Sequence, residues 1–325
     1  MPSRSRSNSG ESSREIPSGS SSSRGDLKKW LTVLALVLIL TAGYIFRDHF
    51  STSVMPPPPR MQGETTQSFR YARMISEGIP IPDVDSLVMH PEGMTTSENS
   101  IFEEYVAGLT HRITGGDFDS FIRFFCLLFP LLALPPLYLW MRSCGYGRMA
   151  ALSGAAIYVF IRPALLRTRG ESFYRETFTL PVLVTLGWLI DSSLNRQGKG
   201  RRGFTVEMGA AVALFVALAS WKVTPFITTF LFLYLVWRRH RSGDVPTSLR
   251  LALGASALLA AVVLPHLRHD GFFLSPTAVL ALFLLVPSFG GLIYPLAASV
   301  LAAASVFLGT GSTGHVGSVV LAKIR

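Results

Sequence analysis

Charge is scarce in this chain. Asp, Glu, Lys and Arg make up 15% of the 325 residues, 49% are hydrophobic, and the mean hydropathy is +0.39. A soluble domain carries roughly 25% charged residues, so the deficit argues against a soluble globular fold. Cysteine is nearly absent. Cys126 lies in an apolar run and Cys144 in a short basic turn. Neither their number nor their placing makes a disulfide framework or a metal site. Internal repeats are lacking and charges within the apolar runs are few, which weighs against a transporter built from repeated halves. Acidic residues are missing altogether after Asp270.

Long apolar runs take the place of charge. A bilayer core needs roughly 20 apolar residues per helix, because backbone polar groups cannot be left unpaired in hydrocarbon. Trp30–Phe46 reads as a first span. It lacks a small-x-small cleavage site and is followed by Arg47-Asp48-His49, so a retained signal-anchor is expected rather than a cleaved signal peptide. Further spans are expected near 121–141, 149–166, 174–191, 204–221, 222–237, 249–266, 272–288 and 290–308, with Pro130, Pro135, Pro136 and Pro225 inside them. The fold class is therefore an all-α polytopic membrane protein with about nine transmembrane helices.

Two polar segments flank the first span. Residues 1–29 are rich in Ser and Arg, with too few large apolar side chains to fold, and read as a disordered tail. Residues 47–118 form a long polar loop that opens near Pro56-Pro57-Pro58-Pro59, an extended spacer, and holds half of the chain's acidic residues. Short helices are expected there at Ser68–Ile75 and Ser100–Thr114.

The net charge of +10 would suit nucleic acid. Its distribution suits the positive-inside bias of a membrane protein better, so no nucleic-acid partner is expected. Arg142 and Arg148, then Arg196, Lys199, Arg201 and Arg202, then Arg238, Arg239, Arg241 and Arg250 fall in alternate loops. Those loops and the N-terminus are expected in the cytoplasm. The 47–118 loop and a hairpin near 162–176 are then expected outside.

The outer loop reads Gly63-Glu64-Thr65-Thr66-Gln67-Ser68-Phe69-Arg70-Tyr71, then Ile79-Pro80-Ile81-Pro82-Asp83, then His90-Pro91-Glu92-Gly93. An acid, five residues and an Arg on a short helix, followed by an Ile-Pro-Asp turn and a Pro-Glu-Gly turn, resembles the first outer loop of oligosaccharyltransferase catalytic subunits. That resemblance implies the C-type glycosyltransferase membrane fold. It covers roughly residues 30–325, the N-terminal half of a full-length family member, without the C-terminal soluble domain that carries the acceptor-recognition motif.

The resemblance implies site residues position by position. Glu64 matches the loop's acid, which lies near the metal and the acceptor asparagine, and Arg70 matches its Arg. Glu replaces the family's Asp, which lengthens the arm. The hairpin Arg167-Thr168-Arg169-Gly170-Glu171-Ser172-Phe173-Tyr174-Arg175-Glu176 is similar to the family's second acidic motif. There Glu176 matches the second acid, and Tyr174 stands where the first is expected, with Glu171 a nearby substitute. The family's later glutamate has no counterpart in the tail Ser312–Ser318.

Glu64 and Glu176, with Arg70 in support, are thus the expected catalytic residues. Glu64, Glu171 and Glu176 are the expected ligands of a hard cation, Mg²⁺ or Mn²⁺, which would neutralise charge on a leaving phosphate. Arg167, Arg169 and Arg268 are expected to meet the phosphate of a lipid donor, the last within a cluster with His266 and His269. The implied reaction moves a glycan from a polyprenyl-(pyro)phosphate carrier to the asparagine of an Asn-x-Ser/Thr acceptor polypeptide, with carboxylates orienting the poorly nucleophilic amide. Two alternatives stand beside it: an inactive or truncated family remnant, and a C-type transferase that adds a single sugar from a lipid-phosphate donor.

Overall fold

The structure is a computed structural model. It describes residues 21–54, 64–88, 91–170, 172–195, 201–243, 245–287 and 291–308, without the side chains of 21–25, Val54, Glu64, Pro163, 201–202 and 307–308. The tetraproline spacer, His90, Glu171, the 312–318 tail and the 196–202 basic side chains fall outside that description.

The first helix, α1 (Ser21–Val54), contains the expected first span and exceeds it at both ends. It starts within the segment read as a tail. It also runs past Arg47, whose guanidinium is buried and donates from Nη1 to Thr168 Oγ1 at 2.5 Å. The polar loop contributes α2 (Glu64–Glu77), a two-residue antiparallel pair of β1 (Val84–Asp85) and β2 (Met94–Thr95), and α3 (Phe102–Thr114). Then come α4 (Phe118–Leu128), a 3₁₀ stretch over Phe129–Ala133 and α5 (Leu134–Ser143). They are followed by α6 (Arg148–Phe160), α7 (Arg162–Arg167), α8 (Arg175–Leu194), α9 (Arg201–Ser220) and α10 (Thr224–Ser242). The described chain closes with α11 (Thr247–Val263), α12 (Pro265–His269), α13 (Pro276–Leu285) and α14 (Ile293–Leu308).

Proline decides where several of these helices begin. Pro135 and Pro136 stand inside the helical run Phe118–Ser143, where α5 takes over from the 3₁₀ stretch, while Pro225 opens α10 and occupies its first turn. A missing N–H costs nothing there, since the first-turn donors have no intrahelical acceptor. The expected span 249–266 breaks at Leu264, which is extended (φ −88°, ψ 116°) ahead of Pro265. Ser275 is likewise extended ahead of Pro276 and caps α13 with its side chain. Both follow from the clash that keeps a residue preceding proline out of the helical region. The expected span 149–166 also breaks, at the extended Ile161 between α6 and α7.

Four helical stretches are long and apolar enough to cross a membrane: Asp26–Ser53, Phe118–Ser143, Arg175–Leu194 and Gly203–Ser220. Arg148–Phe160, Thr247–Val263, Pro276–Leu285 and Ile293–Val306 are apolar and shorter. Large apolar side chains such as Trp30, Leu31, Leu34 and Leu38 stay exposed on α1, as expected of a surface that faces lipid. The chain is an all-α, multi-pass membrane protein. One cluster of buried side chains joins α8 to α14, around Leu214, Phe232, Leu253 and Leu284. A second joins α2 and α3 to α4 and the start of α8. A third seats α1 on α5 and α6 through Leu134, Ala155 and Val159. Gly43 allows that last approach, because a Cβ there would lie 2.5 Å from Val159 Cγ1.

Candidate functional site

The polar loop is a built platform. Its helices α2 and α3 touch at Gly108, where a Cβ would sit 2.5 Å from the carbonyl oxygen of Ala72. Beside them Asp85, 2% exposed, is a hub of three donors. It accepts from the Arg70 guanidinium, from Tyr71 Oη at 2.8 Å and from the Leu87 N–H at 3.0 Å. The Thr96 hydroxyl donates to the Pro82 carbonyl at 2.6 Å. Arg70 is therefore committed to fixing the loop after α2 against the strand pair.

The hairpin between α7 and α8 is held from below and from the side. Gly170 N–H donates to Ser51 Oγ of α1 at 2.7 Å. Arg123 of α4 binds Asp48 at 2.7 Å, tying α1 to the same corner. Phe173 is buried and meets Phe125 edge-on at 5.9 Å, while Phe129 stacks on Phe178 at 4.7 Å. Edge-on and offset ring pairs of this kind add about 1 kcal/mol each beyond the area they bury. This aromatic floor sets the register of the next three residues: Tyr174, the extended cap of α8, then Arg175 and Glu176 in its first turn.

Charge pairing in the hairpin crosses over. Glu176 faces Arg167, with 3.8 Å between Oε1 and Nη1, and the Arg167 guanidinium also lies 5.4 Å from the centre of the Tyr174 ring. Arg175 turns the other way, to Glu104 of α3, at 3.8 Å. Ser68 Oγ donates to the same Glu104 oxygen at 2.7 Å. Glu103 and Glu104 are each 1% exposed. Burial pushes the Glu103 carboxyl well above the usual range, and neighbouring Glu104 and Glu176 push it further, against the pull of Arg175. Burial also raises Glu104, while Arg175 and the Ser68 hydroxyl work the other way.

These elements enclose a cavity of about 420 Å³, lined by Gln67 and Ser68 of α2, Met94, Asn99, Phe173 to Glu176, and Trp221. Trp221 reaches the wall because the end of α9 is pinned to the platform. Ser100 Oγ donates to the Ala219 carbonyl, and the buried His266 ring meets the Leu218 carbonyl at 3.1 Å. Lys222 pairs with Asp270 at 3.6 Å, and His269 lies 3.4 Å from Glu98.

Of the residues singled out from sequence, Glu176 lines this cavity. Arg167 stands beside it, 62% exposed, and Arg169 is half-buried in the same hairpin. Arg268 is exposed on α12, apart from the lining. Glu64 is the first residue of α2; its side chain and all of Glu171 lie outside the described residues. Among the described residues no three His, Cys, Asp or Glu side chains converge as metal ligands. Of the three expected metal ligands only the Glu176 side chain is among the described residues. Sequence reasoning passed over Arg175, Glu104 and Trp221. The signal was the adjacent pair Glu103-Glu104 between Phe102 and Tyr105 on an otherwise amphipathic helix.

No family model matches the chain, and no curated protein matches it. Solved structures do share its fold. The crystal structure of the Archaeoglobus fulgidus oligosaccharyltransferase tethered with an acceptor peptide containing the NVT sequon superimposes with a TM-score of 0.59, at 17% identity, over 91% of this chain and 37% of that one. The archaeal oligosaccharyltransferase AglB from Archaeoglobus fulgidus, in complex with an inhibitory peptide and a dolichol-phosphate, gives 0.59 at 18% identity over 91% and 37%. The Archaeoglobus fulgidus enzyme in complex with Zn and sulfate gives 0.56 at 18% identity over 84% and 35%. The chain spans 34–37% of the length of these neighbours. At such identities the likeness is one of fold.

Proposed function

We propose that this chain is the membrane part of an oligosaccharyltransferase-like enzyme, which transfers a glycan from a polyprenyl-(pyro)phosphate carrier to an acceptor asparagine. The observation that carries the reading is the cavity at the mouth of α8, where an accessible carboxylate, Glu176, and a guanidinium, Arg175, share one wall. The shared fold supports it, since fold neighbours were solved with an acceptor peptide and with a dolichol-phosphate. In this reading the platform face is the outer face and the N-terminus is cytoplasmic, as the arginine-rich alternate loops suggest.

Glu176 accepts a hydrogen bond from the acceptor amide and holds its nitrogen toward the sugar. Glu64, at the start of α2, is the second carboxylate proposed to face the acceptor. The bond from the sugar C1 to the phosphate oxygen breaks and the phosphate leaves with the electron pair. A bond from C1 to nitrogen forms, and the amide proton is lost to a carboxylate or to water. Arg70 acts at a distance, through Asp85, by holding the loop that follows α2. Mg²⁺ or Mn²⁺ is the class of ion proposed to assist, with Glu64, Glu171 and Glu176 as candidate donors; a fold neighbour contains Zn.

Membranes containing the chain, given a polyprenyl-linked oligosaccharide and an Asn-x-Thr peptide, are expected to yield glycopeptide detectable by mass. E176Q keeps the shape and loses the charge, and should lower the rate by about 10²-fold or more, the usual worth of a positioned acid or base. Wild-type rates in E176Q would remove Glu176 from the chemistry. Sugar found on a lipid acceptor instead of the peptide would favour the single-sugar transferase. A chain that binds peptide and donor without transfer would be a non-enzymatic relative, which Tyr174 in place of an acid favours.

A further inference from the structure

Arg175 is the cation of the cavity with its support behind it and open space in front. It lines the cavity and is 25% exposed, with Nη2 lying 3.8 Å from Glu104 Oε1. Glu104 is fully enclosed and is fixed in turn by Ser68, itself part of the lining. Behind this pair, Glu103 Oε1, Glu104 Oε2 and Arg175 Nε are buried and make no hydrogen bond. Burying the Glu104–Arg175 pair is costly, and Glu103 beside Glu104 is pushed toward its neutral form. Such an arrangement is weak as a source of stability, because desolvation of each ion costs several kcal/mol. Apolar side chains would close α3 against α8 more cheaply. What the arrangement supplies is position: a guanidinium with a buried carboxylate on one side and the cavity on the other.

The other arginines of the hairpin and of α12 are placed differently. Arg167 lies outside the lining, 62% exposed, and is turned to Glu176. Arg268 is exposed on α12. The remaining walls suit a sugar. Tyr174 and Trp221 offer aromatic faces, and Gln67 and Asn99 offer amides that both donate and accept. The volume of about 420 Å³ falls within the roughly 300–1,000 Å³ of small-ligand pockets.

We propose that Arg175 binds the phosphate of the lipid-linked donor at the cavity wall, with Glu104 and Ser68 as positioning residues for its guanidinium. The proposal rests on the donor reading above and adds to it the residue that selects an anionic carrier. The guanidinium fork matches two phosphate oxygens at once, which an ammonium cannot do.

The test uses the full chain in phosphatidylcholine nanodiscs, with farnesyl phosphate as the probe and farnesol as its neutral counterpart. Wild type is expected to bind the phosphate at least about tenfold more tightly than the alcohol. R175Q should erase that preference without changing farnesol binding. E104Q should weaken it several-fold and E104D should restore most of it, a rescue that loss of packing alone would not show. If R175Q does not fold, R175K is read instead: a reduced preference supports the assignment. Wild-type preference in R175Q or R175K overturns the assignment of Arg175 while leaving the donor reading in place. No preference in wild type overturns the donor reading and this proposal together.

Discussion

At the scale of single residues, the platform places ionisable groups where each has one job. Asp85 is a buried carboxylate whose charge is met by Arg70, Tyr71 and a backbone N–H. R70Q leaves that charge without its cation, and losing one partner of a buried pair costs roughly 3–5 kcal/mol. The variant should therefore melt well below wild type in detergent, and R70Q/D85N should recover part of the loss. Equal melting of R70Q and wild type would show that Asp85 does not depend on Arg70. Glu103 makes a different prediction. Its carboxyl is raised by burial, with Glu104, Glu176 and Arg175 facing it. Such a group favours the fold fully below the unfolded glutamate value of about 4.3, and that contribution fades as pH rises through the raised folded value. E103Q cannot ionise, so its melting temperature should fall less than that of wild type between about pH 5 and about pH 8. A parallel fall in both would contradict the raised value.

These residues also mark how far sequence alone could see. Glu176 was singled out because the hairpin resembles the family's second acidic motif, where it matches the second acid. Arg175 stands in the same hairpin motif with no role assigned to it by the sequence. Its true partner lies on α3, 71 positions earlier by residue number, and no local spacing encodes a contact of that range. Arg70 was found for its pattern, while its tie to Asp85 depends on how the loop folds back.

At the scale of elements, helix existence was written in hydropathy and helix ends were written in proline. Spans read as continuous over 149–166 and 249–266 proved to be broken at Ile161 and Leu264. Apolar side chains on both sides of a break look alike to a hydropathy window; the extended residue ahead of Pro265 is a local steric effect. The contact between α2 and α3 was illegible, since a glycine in a helix signals only low propensity. Its role follows from the 2.5 Å that a Cβ at Gly108 would have to the Ala72 carbonyl. Backbone cannot yield as a side-chain tip can, so G108A should part the two helices and cost about 1–3 kcal/mol. Limited proteolysis of the 64–114 segment is the direct readout. Faster cleavage in G108A is expected, and wild-type resistance would show that the helices are not packed there.

At the scale of the whole molecule, the lipid-facing surface, the aromatic floor and the polar platform form three layers of one design. Large apolar side chains of α1 such as Trp30, Leu34 and Leu38 stay exposed. The Phe125, Phe129, Phe173 and Phe178 cluster joins membrane helices to the hairpin, and the platform closes over it to leave the cavity. The proposed lipid-linked donor would meet this site from the side, with its chain among the helices and its phosphate at the mouth of α8.

Photo-crosslinking tests that arrangement most directly. A polyprenyl phosphate carrying a photoreactive group next to the phosphate is irradiated with the chain in membranes, and the labelled peptides are mapped by mass spectrometry. The account predicts labelling of the peptides that hold Tyr174, Arg175 and Trp221, competed away by unlabelled carrier. Labelling confined to helix surfaces remote from the cavity, or labelling that excess carrier does not reduce, would contradict it.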